Sequence, residues 1–122
     1  MSQQNRPPPA FQEYAATMMA KREYRSMTLA ERGLLYSMRL ECWENQTLPS
    51  DPAKLAKVLG YSAEEIQLSL PAVMPFFTVT GEDILSQELE HYRKYRARIR
   101  MDQVKSANAT NLKRKNRGDP HE

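Results

Sequence analysis

Cysteine is almost absent from this chain: Cys42 is the only one among 122 residues. No intrachain disulfide can form. Histidine is nearly as scarce, with His91 and His121 alone, the second close to the C-terminus. One cysteine and two histidines cannot assemble a standard zinc site. There is no P-loop, no GxGxxG and no G-x-S-x-G segment. Glu64 and Glu65 are adjacent, so on a helix their carboxylates diverge instead of forming a catalytic pair. A non-enzymatic protein with no metal and no cofactor is therefore expected. No apolar run approaches the roughly 18 residues of a membrane span. Met1 to Pro9 is polar and proline-rich, without the apolar stretch of a secretory signal. A cytoplasmic location with no membrane partner is the expectation. Cys42 falls in an amphipathic pattern beside Trp43 and reads as a reduced packing residue.

What is present suits one compact domain with loose ends: 40% of residues are hydrophobic and 27% charged. The formal charge of +3 conceals an asymmetry. Residues 1–92 hold 8 Lys and Arg against 12 Asp and Glu, a net of −4. Residues 93–122 hold 10 against 3, a net of +7. An acidic body with a basic end points to a polyanionic partner at that end.

Residues 1–10, with Pro7, Pro8 and Pro9 in a row, predict a disordered or polyproline-like start. Phe11, Tyr14, Ala15, Met18 and Met19 predict a short helix within Phe11 to Tyr24. Thr28 and Glu31 then form a capping-box pair. The helix behind them should run to about Asn45, with Leu29, Gly33, Tyr36, Leu40 and Trp43 near one stripe, broadened by Leu34, Leu35 and Met38. Gly33 costs about 1 kcal/mol against alanine inside a helix, which suggests a close helix crossing there. Thr47 to Pro49 is a short extended connection. Ser50 or Asp51 caps the next helix with Pro52 in its first turn. Gly60 ends that helix in a left-handed conformation. Ser62 starts another, with Glu64 and Glu65 in its first turn, and Pro71 and Pro75 break the pattern. Phe76 to Thr80, the turn "TGED", and Ile84 and Leu85 read as a β-hairpin. From about Gln87 the chain is helical again.

The expected fold is thus mainly α with a small β-hairpin. Helix, extended segment, helix, turn, helix and hairpin follow one another as in a winged helix. The winged-helix-like part spans 11–92, a basic extension of the last helix 93–109, and a basic disordered tail 110–122. The second helix of the helix-turn-helix is a poor base reader, because Glu64 and Glu65 would face phosphates. Lys54 and Lys57, on the helix before it, are candidate phosphate contacts and equally a solvated face. The last helix is different. On a helical wheel Tyr92, Tyr95 and Ile99 cluster within about 60°, which predicts docking of the helix through these three. Arg93, Lys94, Arg98 and Lys105 lie opposite, and Arg96 and Arg100 flank the apolar stripe. Arginine suits phosphate because its planar fork donates two parallel hydrogen bonds. The tail "TNLKRKNRGDPHE" adds Lys113, Arg114, Lys115 and Arg117 as loose, counterion-releasing contacts.

Residues Pro9 to Tyr92 resemble the YdaU-like domain-of-unknown-function family of bacterial and prophage proteins. The segments that carry the likeness are "LAERGLLYSMRLECWENQTLPSDPAKLAKVLG" and "FFTVTGEDILSQELE". The resemblance implies a winged-helix-like domain met beside phage replication genes or fused to replication-protein segments. It brings no catalytic residues. The function expected is that of a DNA-binding accessory protein of phage or prophage type, in DNA replication, with DNA favoured over RNA as partner. An adaptor docking on a replication or transcription factor, and a sequence-specific repressor, are the alternatives.

Overall fold

The four longer helices of this chain start on side-chain caps, at Thr28, Asp51, Ser62 and Ser86. The computed structural model describes residues 9–118, with side chains through Thr110. The proline-rich start expected to be disordered lies, apart from Pro9 and Ala10, outside the described residues. Two short helices, α1 (Ala15–Ala20) and α2 (Arg22–Arg25), replace the single one expected there, because Lys21 between them is extended. Helix α3 (Leu29–Asn45) begins on the anticipated capping box. Thr28 Oγ1 accepts from the Glu31 amide at 3.1 Å, and Glu31 Oε1 accepts from the Thr28 amide at 2.8 Å. Strand β1 (Leu48–Pro49) follows. Helix α4 (Pro52–Leu59) is capped by Asp51, carries Pro52 at its start, and stops at Gly60 with φ +77°. Helix α5 (Ala63–Val73) is capped by Ser62.

Pro71 does not break α5 as anticipated. It sits inside the helix, which continues to Val73 before a 3₁₀ turn at Met74–Phe76. A proline forfeits one backbone donor and crowds the preceding turn. Here it lies in the last turn, and Val73 beyond it is fully buried, so packing offsets the cost. Strands β2 (Thr78–Thr80) and β3 (Asp83–Leu85) form the hairpin, turning at Gly81 with φ +62°. The sheet is larger than a hairpin. β1 joins β3 with Leu48 opposite Ile84, giving an antiparallel order β1-β3-β2. The fold is mainly helical with this small three-stranded sheet.

The core gathers Leu34, Leu35, Met38, Cys42 and Trp43 of α3 against α4, α5, the sheet and the start of the last helix. The buried face of α3 is therefore rotated from the expected stripe. Leu29 is 89% exposed and Leu40 60%. Gly33 marks no close crossing either, since a Cβ there would meet nothing within 4 Å. Gly33→Ala should stabilise the fold by about 0.5–1 kcal/mol through helix propensity alone. Urea denaturation tests this, and a loss of stability would show that Gly33 is needed for contact after all.

Helix α6 (Gln87–Gly118) has 32 residues, a length of about 48 Å at 1.5 Å per residue. Its first turns meet the body: Leu89 is buried and Tyr92 packs half-buried on the core, and Ile99 is half-buried. Tyr95, expected to dock, is 56% exposed. Residues 100–110 are exposed without exception. The segment expected to loosen at Thr110 continues as helical backbone to Gly118.

Candidate nucleic-acid interface

The charged residues of α6 divide by how far they stand from the body. Arg93, the first of the proposed phosphate contacts, is already engaged. Its side chain is 15% exposed and pairs with Glu90 at 3.2 Å. Nη2 also donates to the Cys42 carbonyl at 3.0 Å, near the end of α3. The guanidinium lies over the Trp43 ring, 4.5 Å from its centroid, a cation–π geometry. Arg93 thus fastens α6 to α3 and is not available to phosphate in this arrangement.

Beyond Arg93 the described cations stand clear of the body. Lys94, Arg96, Arg98, Arg100 and Lys105 are all exposed, and none forms an ion pair with a described residue. Asp102 is the only acid between positions 94 and 110. With no apolar body beside them, these side chains keep their hydration until a polyanion meets them, so counterion release is their natural source of affinity. The side chains of Lys113, Arg114, Lys115 and Arg117 lie outside the described residues. Lys54 and Lys57 are exposed on α4. Glu64 and Glu65 are exposed in the first turn of α5, where the helix dipole favours them. They place negative charge on the surface a base-reading helix would present.

Sequence reasoning passed over Arg39. Its side chain is 1% exposed and forms a fork on Glu13, with Nε to Oε2 and Nη2 to Oε1 both at 3.1 Å. Nη1 lies 3.5 Å from Glu88 on α6. Phe11 and Tyr36 rings flank the guanidinium. Arg39 therefore ties the N-terminal segment and the root of α6 to α3. Nothing in the local spacing marks it, because α3 also carries Glu31, Arg32, Glu41 and Glu44.

Cys42 is buried beneath this junction, and burial pushes its thiol up from 9.0 to about 11. The native chain should resist alkylation at mildly alkaline pH and react once unfolded. The unfolded thiol loses its proton first, so this group favours folding fully below about 9, and its contribution is lost as pH rises to about 11. Prompt labelling of native protein would contradict the burial.

Among the described residues no group of His, Cys, Asp and Glu could hold a metal ion. No helix among them is long and apolar enough to cross a membrane. No protein-family model matches this chain, and neither does any curated protein or solved structure.

Proposed function

We propose that this chain is a non-enzymatic DNA-binding accessory protein, with a winged-helix-like body that carries α6 as its phosphate-binding arm. The observation that carries the reading is the free set Lys94, Arg96, Arg98, Arg100 and Lys105 on a helix that has left the body. The order α3, β1, α4, α5, β2 and β3, with β1 added beside the hairpin, supports a winged-helix-like arrangement. Fold resemblance alone does not assign DNA binding, and the acidic start of α5 argues against major-groove reading by that helix. The phage or prophage replication setting rests on the resemblance of residues 9–92 to the YdaU-like family. A gel-shift series with single- and double-stranded DNA across salt tests the reading. The full chain should bind, and a chain ending at Arg93, which keeps the α3–α6 fastening, should lose most of that affinity. Equal affinity of the two would overturn it.

An adaptor role is a second reading, favoured by apolar side chains on the acidic body. Leu29 and Leu68 are exposed on α3 and α5, and Ala30, Gly33, Tyr61 and Ser69 line a shallow cleft between these helices. A defined protein partner held by the chain ending at Arg93 after nuclease treatment would favour this role.

A further inference from the structure

The cations of α6 are arranged, not merely abundant. At about 100° per residue, Lys94, Arg98 and Lys105 project to one flank of the helix. Arg96 and Arg100 project to the other, roughly 160° away. Between the two flanks runs a narrow stripe at spacings of four, three and four: Ala97, Met101, Val104 and Asn108. All four are exposed, and no element among the described residues covers them.

We propose that this stripe faces base edges in the major groove of duplex DNA while the two basic flanks hold the phosphates of the two strands. The proposal rests on the DNA-binding reading and adds sequence preference to it. The dimensions agree. A helix with its side chains is about 10–12 Å across and the B-form major groove is about 12 Å wide. Ala97 to Asn108 spans roughly 17 Å, about five base-pair steps. A helix lying in the groove has a phosphate backbone on either side, which is where the cations are. The stripe chemistry fits as well. Small and apolar side chains meet thymine methyl groups, and an asparagine amide pairs with both N6 and N7 of adenine. The occupant is B-form DNA and not duplex RNA, whose major groove is too deep and narrow for side chains to read.

The same four-three-four spacing is what a coiled coil uses, so a second copy is the competing occupant. Charge decides against it. Both flanks of the stripe are basic, and two copies joined along it would bring Arg96, Arg100, Lys94, Arg98 and Lys105 against like charges in either direction. A polyanion relieves that repulsion.

Selection of duplexes by the full chain from a randomised pool tests the proposal. A preferred site of about five base pairs rich in adenine and thymine is expected. Asn108→Ala should relax one adenine position by roughly 5- to 150-fold with the salt dependence unchanged, because no charge is altered. Ala97→Gln should shift the preference by crowding the groove floor, whereas Ser106→Ala, on the far side of the helix, should leave it intact. Salt-sensitive duplex binding with no sequence preference, or with a preference indifferent to Asn108 and Ala97, would overturn the proposal and leave the DNA-binding reading standing. Preference for single strands or duplex RNA would overturn it likewise. No binding to any nucleic acid would remove both. Sedimentation showing a dimer that Met101→Glu dissociates would assign the stripe to a second copy instead.

Discussion

Replacing Lys94, Arg96, Arg98, Arg100 and Lys105 together by glutamine should lower the log–log salt slope of duplex binding by about 4.5, at about 0.9 per phosphate contact. Five such contacts make affinity fall roughly 500-fold over a fourfold rise in salt, so the variant should bind far more weakly at low salt and respond far less to added salt. Glutamine is nearly as good a helix former as lysine or arginine, and all five side chains are exposed, so folding should be untouched. Fluorescence anisotropy on a labelled duplex gives the slope, and circular dichroism checks the helix. Arg93 is deliberately kept. Its contacts with Cys42, Glu90 and Trp43 make its loss a change in packing, and a truncation that removed it would confuse lost binding with a loosened helix. An unchanged slope would shift the affinity to the body or to the residues beyond Thr110.

Arg39→Ala should cost about 3 kcal/mol of stability, the low end of what removing one member of a buried ion pair costs. The low end applies because Glu13 and Glu88 are 29% and 49% exposed and can rehydrate, whereas the arginine leaves an empty, formerly filled site. Arg39→Met should cost clearly less, since an apolar side chain of similar length restores packing without a charge to solvate. Arg39→Lys should not restore the fork on Glu13, because an ammonium cannot make two parallel bonds to one carboxylate. Urea denaturation orders the three variants. Arg39→Ala within about 0.5 kcal/mol of the parent, the range of an ordinary surface substitution, would show that the buried cluster does not hold the N-terminal segment and α6 in place.

Much of the fold was legible because its punctuation is local. Thr28 with Glu31, Asp51 with Pro52, Gly60 and Ser62 each act within a few residues, so spacing alone placed the boundaries of three helices. The face of α3 was harder. Leu29, Tyr36 and Leu40 join Leu34, Leu35 and Met38 in an apolar band wider than one contact surface, and periodicity cannot say which part the rest of the chain covers. Pro71 misled because the cost of a proline depends on what lies beyond it, here a buried valine. The basic character of α6 was also legible, but not the division within it. Arg39 meets Glu13 across 26 positions and Arg93 meets Cys42 across 51. Contacts at that separation leave no periodic trace, so Arg39 was overlooked and Arg93 was grouped with cations it does not resemble. Tyr95 was grouped with Tyr92 by the same wheel, yet it is 56% exposed, packed on the Tyr92 ring and not on the core.

Chemical-shift perturbation of the isotopically labelled full chain by a short duplex tests most directly whether α6, and not the helix-turn-helix, carries the affinity. The prediction is that amides from Lys94 to Thr110 shift, while the first turn of α5, at Ala63, Glu64 and Glu65, stays in place. Shifts centred on α5 with α6 unchanged would contradict it.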